Sequence, residues 1–114
     1  MNEDLALVAT RLLGWQYSLD PMAPQGNTTQ RYWHDPKVNH SVRKLAWLLT
    51  GDGMLEVLKA LTVKGWKYDL ASNGNICVAT VESSRIKLTY GPNKSLPETV
   101  IRAAASALRQ EEGK

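Results

Sequence analysis

Cysteine is almost absent from this chain: Cys77 is the only one in 114 residues, which excludes an internal disulfide framework. It sits in the apolar run Ile76-Cys77-Val78-Ala79, where a cysteine behaves as a small buried hydrophobe. A catalytic thiolate needs a polarising neighbour, and nothing local supplies one. Long apolar runs are missing too. No stretch approaches the roughly 20 residues that span a bilayer, and the opening Met1-Asn2-Glu3-Asp4 is acidic rather than basic. A cytoplasmic protein with no membrane contact is therefore expected. Charge of one sign is also scarce. Fourteen Lys and Arg stand against 11 Asp and Glu, a net +3, with no run of like charge longer than two. The basic stripe common in nucleic-acid binders is not there.

The usual signatures of chemistry are missing as well. Gly51-Asp52-Gly53 has too few glycines, and no Lys-Ser or Lys-Thr follows it to make a phosphate loop. There is no Gly-x-Ser-x-Gly elbow, and the scattered carboxylates form no acid/base pair. His34, Asp35 and His40 could supply metal ligands, with Cys77 distant in sequence. Zinc sites, however, use tighter spacings, and a surface histidine beside a turn aspartate explains the pattern more simply. The sequence thus predicts no enzyme, no catalytic residue, no metal and no cofactor.

What is present is periodicity. The hydrophobic fraction of 43% and charged fraction of 22% are those of an ordinary globular chain, sized for one domain over residues 1–114. Leu5, Val8, Ala9, Leu12 and Leu13 follow the i, i+3, i+4, i+7, i+8 pattern of an amphipathic helix. Asn2 is its expected cap and Gly14 its stop. From residue 15 to 40, Pro21, Pro24, Gly26, Asn27 and Pro36 interrupt any pattern. Trp15, Tyr17, Tyr32 and Trp33 are nonetheless too many aromatics for a plain linker. An irregular excursion, with an insert over 18–30 and a short strand or turn near Arg31-Tyr32-Trp33, is expected. Val42, Leu45, Ala46 and Leu49 share a face of a short helix over 41–49, off which Trp47 falls. A second clear helix carries Met54, Val57, Leu58 and Leu61, with Asp52 able to cap it.

Three strands follow. Trp66, Tyr68 and Leu70 alternate with Lys67 and Asp69, and Ile86, Leu88 and Tyr90 with Arg85, Lys87 and Thr89. Ile76 to Val81 is apolar on both faces, as in a central strand. The short connections at 72–75 and 83–84 predict an antiparallel meander, in which Trp66 and Tyr68 belong to the core. Ser95-Leu96-Pro97-Glu98 opens the last helix as a capping box. Leu96, Val100, Ile101, Ala104, Ala107 and Leu108 form its buried side, and a frayed tail covers 111–114. The fold class is α+β.

Leu12-Leu13-Gly14-Trp15, Tyr32-Trp33-His34-Asp35-Pro36, Gly51-Asp52-Gly53-Met54, Lys64-Gly65-Trp66 and Ser95-Leu96-Pro97-Glu98-Thr99-Val100 occur in this order along nearly the whole chain. Together they resemble the small phage and prophage proteins that carry the phage α/β/α ("ABA") sandwich domain. The resemblance implies an α/β/α sandwich and a phage accessory gene acting in the host cytoplasm. It brings no shared activity and no functional residue. The insert from Ser18 to Gln30 departs from the short link expected there. An α/β/α sandwich also covers both sheet faces, whereas 66–70 and 85–90 read as covered on one. The charged face of Lys67, Arg85 and Lys87 is then open to a partner.

The other candidate surface interleaves aromatic and basic residues: Arg31, Tyr32, Trp33, His34, Lys37, His40, Arg43 and Lys44. Such residues stack on bases and neutralise phosphates, and they also make protein-binding hot spots. They equally fit a structural role, in which the rings pin the segment to the core and the charges stay solvated. Residues 15–50 carry four basic groups against two acidic ones, which favours a host protein as partner over nucleic acid. The resemblance to the small phage proteins, and no residue of this surface, implies a binding protein, with inhibition of a bacterial anti-phage defence, CRISPR included, as the natural subclass. A nucleic-acid-binding module is the alternative. A homo-oligomer through a sheet edge or the aromatic segment stays open.

Overall fold

A computed structural model describes residues 2–19, 31–36 and 42–112. Its first helix, α1 (Asn2–Leu7), widens into a π-helical turn over Val8–Leu12. There Leu13 N–H reaches back to the Val8 carbonyl at 3.1 Å. Leu5, Val8, Ala9 and Leu13 are buried, as their spacing predicts. Gly14, with φ of 74°, turns the chain out of the helix in a conformation that side chains resist. Asn2 is the first helical residue rather than its cap.

The segment expected to be irregular opens in a regular strand. β1 (Gln16–Leu19) pairs antiparallel with β2 (Arg31–His34), and β2 pairs with the short β3 (Val42–Arg43). The helix expected over 41–49 is divided. Val42 is drawn into pairing with His34, Lys44 is extended at φ −109° and ψ 134°, and only Leu45–Leu49 coil, as a 3₁₀ turn. Its Trp47 is half-buried, the ring centroid 6.3 Å from that of buried Trp15. α2 (Gly51–Val63) is capped by Thr50 and not by Asp52. The Thr50 hydroxyl accepts from Gly53 N–H at 3.1 Å and donates to the Trp47 carbonyl at 2.6 Å. One side chain thereby closes one turn and opens the next.

β4 (Lys67–Asn73), β5 (Ile76–Glu82) and β6 (Lys87–Asn93) form the expected antiparallel meander, with β5 central. α3 (Leu96–Glu112) crosses β5 and β6, and its remaining sides pack on α1, the π turn, the 3₁₀ turn and α2. That two-sided burial explains why Thr99, Val100, Ile101, Ala103, Ala104, Ala105, Ala107 and Leu108 are all buried. A surface helix would show a narrower apolar stripe. The α+β class and the order of first helix, α2, meander and last helix are those the sequence predicts, and the β1–β2–β3 sheet is the addition.

The one-sided cover read from the strand alternation is also present. Ala79 and Val81 are buried, whereas Lys67, Asp69, Glu82, Lys87 and Thr89 on the opposite face are exposed. Trp66 is buried as expected, but Tyr68 is 42% exposed, because α3 lies over β5 and β6 and leaves β4 at the margin.

Ser95 caps α3 by accepting from Glu98 N–H at 3.4 Å. The return half of the expected capping box is not made. Ser95 N–H donates to Asn93 Oδ1 instead, and the Glu98 carboxylate turns to Arg102 at 3.5 Å. Ser95→Ala is expected to cost about 1 kcal/mol, readable as a lowered midpoint in urea at unchanged slope. The helix continues through residues read as a frayed tail. Glu111 meets Lys64 at 3.6 Å and Glu112 meets Arg11 at 2.9 Å. At the other end of the chain, Asp4 joins α1 to α3 through Arg109 at 2.5 Å and Arg102 at 3.9 Å.

Candidate interaction surface

Strand pairing sorts the aromatic and basic residues by face. In the β1–β2–β3 sheet, Tyr17 stands opposite Trp33, and Trp33 opposite Arg43. Residues directly opposite share a face, so positions 17, 33 and 43 make one cross-strand row. Arg31 opens β2, in register with Leu19. The Tyr17 and Trp33 rings stack at 5.0 Å with 26° between their planes. Trp33 is half-buried and rests on the core, while Tyr17 is 54% exposed. The pair is thus an aromatic plate fixed from behind and open in front, with an arginine position beside it.

Alternation sends the neighbours of Trp33 the other way. His34 is buried, in the row with Gln16 and Val42, and Tyr32 is half-buried opposite Ser18. His34 therefore does not belong to an exposed surface, a correction to the continuous Arg31-to-His34 patch drawn from sequence. Lys44 is exposed just after β3, and Lys37 and His40 lie outside the described residues. Tyr17 was not among the sequence candidates. Its signal was the polar–apolar alternation of Gln16-Tyr17-Ser18-Leu19, masked by the prolines that follow.

The second candidate surface is less basic than its sequence suggests. Lys67 and Lys87 do share a row on the open face of the meander, but Glu82 stands between them, paired with both. Asp69 adds a second carboxylate one row further, beside a Thr80–Thr89 hydroxyl contact of 2.9 Å. Opposite charges directly across strands favour the sheet itself and leave little net field for an anion. Arg85 lies off this row, in the β5–β6 turn, whose backbone is held by the Ser83 hydroxyl accepting from Arg85 and Ile86 N–H. It lines a shallow recess of about 220 Å³ with Trp66, Ser83, Ser84, Ile86 and Glu111. The Lys64 ammonium lies 5.5 Å from the Trp66 ring centre.

Cys77 is buried in β5, with the Ser72 hydroxyl at 3.7 Å from its sulfur. Among the described residues no group of three or more His, Cys, Asp or Glu side chains could hold a metal ion. No described helix is long and apolar enough to cross a membrane. No family model, curated protein or solved structure matches the chain.

Proposed function

We propose that this chain is a non-enzymatic binding protein, a phage accessory product that docks on a host protein and inhibits a bacterial anti-phage defence. Its phage character rests on the resemblance of the chain's motifs to the ABA sandwich proteins. The mode of action rests on one structural observation, the Tyr17–Trp33 stack. Large rings cost little entropy to fix and contribute much of the energy of protein interfaces. Here one ring is half-buried and already held, and the other is largely exposed, so a partner gains contact area without ordering the plate. Arginine, which stands at positions 31 and 43 of the strands that carry this plate, suits hydrogen bonding at the rim of such a contact. The modest excess of four basic over two acidic groups in residues 15–50 suits a protein surface better than a phosphate backbone.

The test is capture from bacterial lysate, with and without nuclease, by the native chain and by variants. Tyr17→Ala is expected to weaken the captured complex about fivefold or more, because truncating a central aromatic costs above ~1 kcal/mol. Its exposure predicts little change in folding stability. Undiminished binding by folded Tyr17→Ala and by an Arg31/Trp33/Arg43 triple-alanine variant rejects this surface. Nuclease-sensitive capture with an affinity that falls steeply with salt transfers the function to nucleic-acid binding.

A further inference from the structure

The geometry points to a second copy of this chain as the occupant of the free β4 edge, in a two-fold dimer that joins two three-stranded sheets into one. Among the described residues, β4 ends its sheet, hydrogen-bonded to β5 on one side and to no strand on the other. Six of its seven residues are exposed, and Leu70 is half-buried. The strand Lys67-Tyr68-Asp69-Leu70-Ala71-Ser72-Asn73 has no proline or glycine, and its pairing with β5 runs through all seven positions without a bulge. A long, regular, unprotected edge of this kind is a template for strand addition. The opposite margin of the sheet is unsuited to that role. β6 contains Pro92, which lacks an N–H, and its register with β5 is broken between Cys77 and Ala79.

Symmetry and charge then select the occupant and its register. When a strand pairs antiparallel with its own copy about a two-fold axis normal to the sheet, one residue meets itself and its flanking residues cross-pair. Centring on Lys67 or Asp69 sets like charges directly opposite, which is unfavourable. Centring on Leu70 places Asp69 against Ala71. Only centring on Tyr68 sets Lys67 against Asp69 and Asp69 against Lys67, two opposite-charge pairs made by one operation. Trp66 then faces Leu70 across the axis, and Tyr68, 42% exposed in the single chain, meets its own copy. The apolar residue left at the margin by the position of α3 is thereby covered. This dimer uses a different sheet from the Tyr17–Trp33 surface, so the two readings stand or fall separately.

Sedimentation over a concentration series, up to the sub-millimolar range, tests the pairing. The native chain is expected to dimerise. Asp69→Lys and Lys67→Asp, both at exposed positions, are each expected to weaken the dimer roughly tenfold, as two favourable cross-strand pairs become two repulsive ones. The double exchange Lys67→Asp/Asp69→Lys is expected to restore it. Under mild oxidation Tyr68→Cys is expected to cross-link to its own copy, and Leu70→Cys is not, because only a self-paired position brings its α-carbons within disulfide range. A native chain that stays monomeric overturns the inference. So does a dimer that ignores the single charge reversals, one that the double exchange fails to rescue, or a cross-link formed by Leu70→Cys and not by Tyr68→Cys.

Discussion

Gly53→Ala is expected to lower folding stability by about 3 kcal/mol, although alanine is the better helix former by about 1 kcal/mol. Gly53 is buried in the first turn of α2. A β-carbon there would overlap the Trp47 carbonyl oxygen and lie 2.5 Å from the Leu48 α-carbon. Both are backbone atoms, so no side chain can swing aside. Relief requires the 3₁₀ turn to move away from α2, which breaks the Thr50 bridge between them and disturbs Leu48, a fully buried residue. Overpacking of this kind costs typically 1–3 kcal/mol and occasionally more, and the rigid neighbours put this site at the upper end. Thermal unfolding should show a midpoint about 10 °C lower, at roughly 3–4 °C per kcal/mol for a chain of this size. Gly51, two residues earlier, is the internal control. Nothing lies within 4 Å of its would-be β-carbon, so Gly51→Ala should be neutral or slightly stabilising. A Gly53→Ala protein as stable as the native one would mean that the two turns are not locked together.

Ile101→Ala is expected to cost about 2–5 kcal/mol, the range for truncating a fully buried aliphatic side chain. Ile101 has no exposed surface and sits on α3, the helix that touches β5 and β6 on one side and α1, α2 and the turns on another. A void there cannot be filled by collapse of a single flank, because α3 is held from several directions. Against a typical total of 5–15 kcal/mol, this loss brings the domain near the limit of folding. Ile101→Val should cost only about 0.5–1.5 kcal/mol. Val63→Ala, at the end of α2 and 89% exposed, should change stability by less than about 0.5 kcal/mol. Urea titrations of the three variants compare them directly. Equal effects at Ile101 and Val63 would show that α3 is not the centre of the core.

The helices and the meander were legible because their periodicities are local. Leu5 on α1, Val8 and Ala9 on the π turn that continues it, Val57, Leu58 and Leu61 on α2, and the alternating residues of β6 each record which side faces the core. Turn chemistry separated them, as at Gly14 and Ser95. Errors fell where two readings had the same spacing. Val42, Leu45 and Leu49 fit a helical face, but pairing of Val42 with His34 removed the first of them. Asp52 was the cap expected for α2, but the chain places Thr50 there instead, its hydroxyl accepting from Gly53 N–H and donating to the Trp47 carbonyl.

The candidate surfaces show the division more sharply. The sequence alone determined that aromatic and basic residues interleave around Trp33 and that β4 alternates charge with apolar residues. Only tertiary structure decided that Tyr17 stacks on Trp33 across strands whose paired positions are up to 18 residues apart, as Gln16 and His34 are. It likewise decided that Glu82 separates Lys67 from Lys87, and that Asp4 meets Arg102 and Arg109 at the far end of the chain. The reason is physical. Periodicity encodes the direction of burial for each segment separately, because it follows from the geometry of a single helix or strand. Which segments meet, and in which register, depends on long-range pairing and packing that no local pattern specifies.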